Sequence, residues 1–272
     1  VDLFKEKVNP DNPNQYWAVD HWENFELGAE TIKVKGGDDV IINTKKSRHG
    51  PIITDAFSGF KEEDNPFANT KDPLALWWVF FDKDNDVLGA VYEMARTETV
   101  GQAANAVKKI FAPGLNVMYA DEHGDIAWWA AAKLPIRPKH VNSSLILDGS
   151  TGKDDPLGFY DFSENPQVLN PERGALYSAN NQPADTGIGL IPGYYVPRDR
   201  AMRIEQYLFN NDADWDADRM KEMLLDTTSP LVEEVQRVTL PDLTASEEIK
   251  KDSLSSKALG VFQDWKGNHD PD

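Results

Sequence analysis

Glycine is distributed unevenly along this chain, and that distribution constrains the fold more than any other feature of the sequence. Sixteen of the 18 glycines lie at or before Gly193, and the next one is Gly260. Apolar residues alternate with period two in the glycine-rich part, whereas they recur at helical spacing after it. Strands followed by helices are typical of an α+β fold. We therefore predict a β-rich part over residues 1–195 and a helical portion over residues 196–272.

The β-rich part contains two patterns that are typical of β-hairpins. In each of them, apolar residues on both sides flank a turn that contains glycine, over residues 31–42 and 115–129. The short apolar run 74–81 predicts a strand that is covered on both faces. Residues 89–110 predict a helix.

A long segment rich in Pro, Gly, Asn and Asp separates the hairpins from the helices. It runs from Pro135 to Pro171 and predicts an ordered loop, which is followed by a strand from Gly174 to Ser178. The helical portion then predicts four helices, the first over residues 198–210. The starts of the other three are predicted from capping signals at Asp214, at Ser229-Pro230 and at Thr244-Ala245-Ser246-Glu247.

The charge and the composition exclude several classes of function. The chain carries 46 Asp and Glu residues against 28 Lys and Arg, for a formal net charge of −18 at pH 7. A surface this acidic repels phosphate, and no basic run is long enough to overcome that field, which argues against binding to nucleic acid or to a membrane. Since cysteine is absent, disulfides, thiolate metal sites and a cysteine nucleophile are excluded. Charge alone leaves open a domain that binds a basic protein.

One acidic segment has spacing similar to that of a calcium-binding loop. It runs from Asp82 to Glu93, but its sixth position, where such a loop needs glycine for a sharp turn, is Val87. A polar turn between a strand and a helix makes fewer demands on these residues.

Two adjacent asparagines, Asn180 and Asn181, follow the strand predicted at residues 174–178. Adjacent amides at the end of a strand are typical of a turn, because asparagine hydrogen-bonds its own backbone and tolerates left-handed geometry. An asparagine amide held rigidly there can also donate to a developing oxyanion. The residues alone leave both interpretations open and favour the turn.

Six short motifs occur in an order that extends across nearly the whole chain. They are Val1-Asp2-Leu3-Phe4, Glu30-Thr31-Ile32-Lys33-Val34-Lys35-Gly36, Arg48-His49-Gly50-Pro51-Ile52, Tyr119-Ala120-Asp121 with Gly124-Asp125-Ile126, Ser178-Ala179-Asn180-Asn181 with Pro183, and Arg198-Asp199-Arg200 with Arg203-Ile204. Each motif alone has little specificity. Together and in this order they resemble the penicillin acylase family of N-terminal-nucleophile hydrolases.

This resemblance implies a fold of two stacked β-sheets between helices, an αββα layered sandwich that is incomplete here, with a helical portion at its C-terminal end. It implies an amidohydrolase in which an N-terminal serine attacks a linear amide and uses its own α-amino group as the base. The expected substrates are small N-acyl amines, such as a β-lactam antibiotic with its side chain or an N-acyl homoserine lactone. No organic cofactor is expected.

The resemblance also implies that the chain is an internal piece of the family's large chain. Val1 has no nucleophilic atom, and Val1-Asp2 matches a segment inside that large chain. We therefore expect the nucleophile to lie upstream and the isolated chain to be inactive. The expected partners are the upstream small chain and the rest of the large chain, from one autoprocessed precursor. The expected location is periplasmic or secreted.

Four residues receive roles from the positions that they match in the family. Asn180 matches the asparagine whose side-chain N–H contributes to the oxyanion hole, and Arg200 matches the arginine that orients that asparagine and the amino group of the nucleophile. Val1, through its carbonyl, and Asp2, through its carboxylate, match two ligands of a structural calcium ion. A third ligand, a backbone carbonyl, is expected near Ser143.

Two alternatives to these assignments stay open at this point. Arg200 could instead be an arginine at a helix start that pairs with a neighbouring acid, Asp199 or Glu205. The protein could instead be a non-catalytic, calcium-stabilised binding or structural module derived from the same fold. A Ser, Thr or Cys directly after the upstream processing site would indicate the hydrolase.

Overall fold

The computed structural model describes residues 1–57, 72–209 and 215–268. The chain divides into two compact units. The first consists of Val1–Val168 and Ala184–Gly193, and the second of Leu169–Pro183 and Tyr194–Asp272. The second unit thus combines a segment that precedes residue 195 with the helical portion of the chain.

Short strands make up most of the regular structure of the glycine-rich part. They are β1 (Asp2–Lys5), β2 (Val8–Asn9), β3 (Asn12–Ala18), β4 (His21–Asn24), β5 (Glu26–Ile32), β6 (Val40–Ser47), β7 (Gly50–Pro51), β8 (Leu74–Trp77), β9 (Leu115–Ala120), β10 (Ile126–Ala131), β11 (Pro135–Ile136), β12 (Leu147–Asp148), β13 (Gly158–Phe159) and β14 (Gln167–Leu169). They form small sheets with the orders β12-β1-β8, β14-β10-β9, β11-β13, β2-β3-β4 and β5-β6-β7.

Both predicted hairpins are confirmed. β5 and β6 pair in antiparallel register with Ile32 opposite Val40 next to the turn. β9 and β10 pair in the same way, with Ala120 opposite Ile126. Alternation of apolar residues and glycine-containing turns was sufficient here because both signals are local.

β1 lies at the centre of its sheet and brings distant parts of the chain together. It pairs antiparallel with β8 and parallel with β12, so that Phe4 lies beside both Ala75 and Leu147. These three side chains are buried and form one of the cores of the first unit. β12 and the other short strands β11, β13 and β14 lie in the segment predicted as an ordered loop, which is therefore partly paired.

The helix predicted over residues 89–110 is two helices, α1 (Val87–Met94) and α2 (Val100–Val107). The chain breaks between them because the side chain of Thr99 accepts a hydrogen bond from the backbone N–H of Gln102 and starts a new helix. α2 packs on β9 and β10, α1 packs on α2, and alanines of both helices share a buried core with Trp129.

The strand predicted over residues 74–81 is also shorter than expected. β8 ends at Trp77, and residues 79–81 form one turn of 3-10 helix. The rings of Trp78 and Phe80 stack with centroids 4.7 Å apart. Since Phe80 and Phe81 are exposed, the predicted cover on both faces is wrong for this end of the run.

A buried polar cluster lies beside β1 in the first unit. Glu6 is fully buried, and its Oε1 accepts from Ser47 Oγ at 2.5 Å and lies 2.8 Å from His49 Nδ1. His49 Nε2 lies 3.0 Å from Asp155 Oδ1, and Arg48 pairs with the same Asp155 carboxylate. Burial acts to raise the pKa of Asp155, but hydrogen bonds with Arg48 and His49 outweigh it and hold that pKa below its usual value.

The second unit contains five helices in its described residues. They are α3 (Asp199–Phe209), α4 (Ala217–Leu225), α5 (Val232–Ala245), α6 (Glu247–Lys251) and α7 (Ser253–Asp264).

Helix starts in this unit differ from the predicted ones by a few residues. Asp216, rather than Asp214, caps α4, and Asp214 lies outside the described residues. α5 starts at Val232, two residues beyond the predicted proline Pro230. Ser246 caps α6 and takes the place predicted for Thr244. The starts of α4 and α6 are displaced to residues whose side chains make the cap, whereas α5 starts after Leu231, which makes no side-chain cap.

The strand predicted from Gly174 to Ser178 is wrong, since the described structure gives these residues no β-partner. Gly174 closes a turn instead: its N–H donates to the carbonyl of Pro171 at 2.8 Å, and its φ of +69° is one that glycine adopts without strain.

Asp226 joins α3 to the end of α4. Its Oδ2 accepts from Arg203 Nε at 2.9 Å and from Tyr207 Oη at 2.6 Å, and its Oδ1 accepts from the Thr228 backbone N–H at 2.7 Å. Burial acts to raise the pKa of Asp226, but the hydrogen bonds outweigh it and hold that pKa far below its usual range.

We expect Asp226→Asn to lower the free energy of unfolding by about 2 kcal/mol at pH 7. Because the folded-state pKa is depressed, the ionised carboxylate stabilises the fold above the unfolded-state pKa of about 4, and this stabilisation is lost as the pH falls through the acid range. Urea unfolding at several pH values should therefore show a difference between wild type and variant that shrinks below about pH 4. Glu234→Gln, which removes one carboxylate from the exposed pair with Arg237, is the control and should have little effect. A difference that does not change with pH would contradict the assignment.

Candidate active site

Asn180 and Arg200, which are predicted to act together, are in contact in the second unit. Arg200 donates from one terminal nitrogen to the side-chain Oδ1 of Asn180 at 3.0 Å and to the carbonyl of Ala179 at 2.7 Å. The two residues are 20 positions apart in the sequence, so this contact is made by tertiary structure.

The backbone around Asn180 is a turn that fixes the direction of its side chain. Asn180 has a φ of +59°, a left-handed conformation in which asparagine is enriched among non-glycine residues. Its N–H lies 3.3 Å from Ser178 Oγ, its carbonyl accepts from Val196 N–H at 3.1 Å, and Asn181 Oδ1 accepts from Ala179 N–H at 3.3 Å. The turn interpretation and the oxyanion interpretation are therefore compatible, because the turn is what holds the amide.

Arg200 is the second residue of α3, which starts at Asp199 directly after Pro197 and Arg198. The alternative in which it pairs with a neighbouring acid is not observed: Arg200 forms no ion pair with Asp199 or Glu205 in the described residues, and Glu205 accepts from Tyr177 Oη instead. Arg200 is thus a cation in the first turn of α3 that contacts the Asn180 amide directly. A helix N-terminus and a guanidinium both favour negative charge nearby.

The hydrogen bond from Arg200 also determines which end of the Asn180 amide is available. Because Oδ1 accepts from Arg200, the amide nitrogen Nδ2 is directed away from the guanidinium. Within residues 1–57, 72–209 and 215–268, Nδ2 donates no hydrogen bond. The arrangement thus leaves a fixed N–H donor of the kind that stabilises a tetrahedral oxyanion.

Comparison of the sequence with models of known protein families identifies the family of this chain. The family model described as penicillin amidase matches residues 1–272. The chain belongs to the penicillin amidase family.

The curated relatives of this chain include proteins with two kinds of name. An acyl-homoserine lactone acylase QuiP from Pseudomonas aeruginosa is 29% identical over 239 residues, which are 86% of this chain and 28% of the relative. A penicillin G acylase from Escherichia coli is 27% identical over 184 residues, which are 67% of this chain and 20% of the relative. The chain therefore spans about a quarter of the length of these relatives.

A solved structure shows the fold. A thermostable penicillin G acylase from Alcaligenes faecalis superposes with a TM-score of 0.75 at 23% identity and covers 99% of this chain and 46% of that one. The predicted α+β fold of the N-terminal-nucleophile hydrolases is thereby confirmed. No helix in the described part of this chain is long and apolar enough to cross a membrane.

The residues predicted to bind calcium lie in the first unit, at the start of β1. Asp2 is buried, and both of its oxygens accept from Arg137, from Nε at 3.1 Å and from a terminal nitrogen at 3.0 Å. Val1 is exposed, and Ser143 lies in a turn with no hydrogen bond to either residue.

Calcium does not fit Asp2 in this arrangement. Calcium takes six to eight oxygen ligands, whereas both Asp2 oxygens are engaged by one guanidinium. The described residues also contain no group of three or more His, Asp or Glu side chains that could hold a metal ion. The function proposed below therefore contains no step through a metal.

Several residues around the site were missed by sequence reasoning. Arg137 lies 135 positions from its partner Asp2, and no local pattern marks such a pair. Tyr177 lies in the segment predicted as a strand, and Arg173 directly precedes it, so that no contact with a helix was predicted for either residue. For the contact between Tyr177 and Glu205, the sequence contains one signal, the position of Glu205 on the predicted helix. That position predicted an alternative partner of Arg200 and not a partner of Tyr177.

Proposed function

We propose that this chain supplies the oxyanion-stabilising asparagine of an amidohydrolase that removes an acyl group from an amine. The observation that carries the proposal is the Arg200–Asn180 hydrogen bond, which fixes an amide N–H donor in a turn at the positive end of a helix. The acylase names of the relatives support the same class of reaction.

In the proposed reaction, a serine hydroxyl from outside this chain attacks the carbonyl carbon of a linear amide, and its proton passes to the free α-amino group of the same serine. The carbonyl oxygen becomes an oxyanion, to which Asn180 Nδ2 donates. When the intermediate collapses, the C–N bond breaks and the amine leaves with that proton. Water then attacks the acyl-enzyme, which releases the carboxylic acid and restores the serine.

The substrate class follows from the relatives and not from a pocket of this chain. We propose small N-acyl amines, either N-acyl homoserine lactones or β-lactams with an acyl side chain. The remaining parts of the enzyme, an upstream small chain and the rest of the large chain, are proposed to come from one autoprocessed precursor in a periplasmic or secreted location.

The test is an assay of the full-length, processed protein on N-acyl homoserine lactones of several chain lengths, on a penicillin and on a cephalosporin. We expect release of the free amine from at least one of them. The matched control replaces the residue directly after the processing site by alanine and should release none. If the processed protein hydrolyses no N-acyl amine, the non-catalytic module is the better interpretation.

A further inference from the structure

The segment that ends at Asn180 lies along α3 and is held there by side chains. Arg173 packs over the ring of Phe209 with the guanidinium carbon 3.4 Å from the ring centroid. Tyr177 Oη donates to Glu205 Oε1 at 2.5 Å. Arg200 then holds Ala179 and Asn180. Since residue numbers rise along the segment as they fall along the helix, the segment is antiparallel to α3.

These side-chain contacts fix the position of the segment, whereas other segments of the chain are fixed by pairing with a neighbouring strand. Residues 173–178 have no β-partner in the described structure, so no backbone ladder fixes where Asn180 lies relative to α3. Arg200 and the Val196 N–H hold the Asn180 end of the segment, and Arg173 contacts α3 at the other end. The contact between Tyr177 and Glu205 is the hydrogen bond to α3 between these ends, three residues before Asn180, and Glu205 is on the same helix as Arg200.

We propose that Tyr177 and Glu205 are positioning residues that hold the Asn180 amide in line for oxyanion stabilisation. Their hydrogen bond has a carboxylate as its acceptor, and hydrogen bonds with an ionised partner are about twice as strong as neutral ones. Burial, followed by the hydrogen bond to Glu205, raises the pKa of Tyr177 to about 12. The phenol therefore stays protonated and remains a donor over the working pH range of a hydrolase.

This inference rests on the proposed function, and the variants are chosen to separate the two. Tyr177→Phe removes only the hydroxyl, and Glu205→Leu removes the acceptor together with its negative charge. Both should lower kcat for the best N-acyl amine by about tenfold and leave KM within about twofold, because a misplaced donor weakens transition-state stabilisation more than substrate binding. Glu205→Gln keeps an acceptor oxygen and should retain most of the wild-type kcat.

Tyr207→Phe is the matched control. Tyr207 is on the same helix and also donates to a carboxylate, that of Asp226, but this network does not touch the segment that carries Asn180. The control should lose thermal stability and keep kcat. Amide hydrogen exchange should become faster at residues 177–181 in Tyr177→Phe and not in Tyr207→Phe.

The outcomes are distinct. An active wild type with unchanged kcat in Tyr177→Phe and Glu205→Leu would overturn the positioning role and leave the proposed function intact. Equal losses of kcat in Tyr177→Phe and Tyr207→Phe would show a general stability effect and would also overturn it. A wild type that hydrolyses no N-acyl amine would overturn the proposed function and this inference together.

Discussion

Asn180→Gly is expected to lower kcat of the processed enzyme by about 10²–10³-fold, the loss typical of removing one oxyanion-hole donor. Glycine is the informative replacement because Asn180 has a φ of +59°, which glycine adopts without strain. Alanine would combine the loss of the amide with a backbone penalty. KM should change little, since the donor acts on charge that develops only in the transition state.

The control for this prediction is a second asparagine in the same backbone conformation. Asn170 has a φ of +44°, so Asn170→Gly makes the same chemical change at a similar backbone geometry. Its kcat should equal that of the wild type. Normal turnover by Asn180→Gly would rule out the oxyanion role, whereas a large loss in both variants would point to the segment as a whole.

His49→Ala is expected to lower the free energy of unfolding by about 3–5 kcal/mol, because it leaves a buried carboxylate without its partner. Glu6 is fully buried, and its second oxygen, Oε2, has no hydrogen-bond partner in the described structure. Without His49, Oε1 accepts only from the hydroxyl of Ser47. The ring of His49 also stacks on Phe4 with centroids 4.0 Å apart, so the substitution opens a cavity as well.

Urea unfolding at pH 7 measures this loss, and two further variants define its cause. His21 also lies 2.8 Å from a carboxylate, that of Asp20, but on the surface, so His21→Ala should change stability little. In a Glu6→Gln background, His49→Ala should cost less, because no buried charge is left unpaired. An equal cost in both backgrounds would assign the whole effect to packing.

The features that the sequence predicted well are those with a local signal. Both hairpins follow from alternating residues around a turn, and the helical portion follows from its spacing. The strand predicted at residues 174–178 failed because a short run of apolar residues is equally suited to packing against a helix. Here the segment contacts α3 through Tyr177 and Glu205, and the spacing of apolar residues does not predict such a contact.

The candidate site divides in the same way. Asn180 and Arg200 were predicted from the order of motifs, and the structure places them in contact. Asp2 was predicted as a metal ligand, but its neighbour Arg137 comes from a distant part of the chain and occupies both of its oxygens. A match to the motifs of a family predicts which residue occupies a position, whereas the partners of that residue depend on tertiary structure.

The parallel pairing of β1 with β12 makes closure of this sheet a long-range event in folding. Phe4 lies opposite Leu147, so β1 is paired on both edges only after segments far apart in the sequence have met. Such contacts form slowly, because the entropy of loop closure is lost before the contact stabilises the chain. Until then one edge of β1 is open to pairing with another chain, and refolding competes with aggregation.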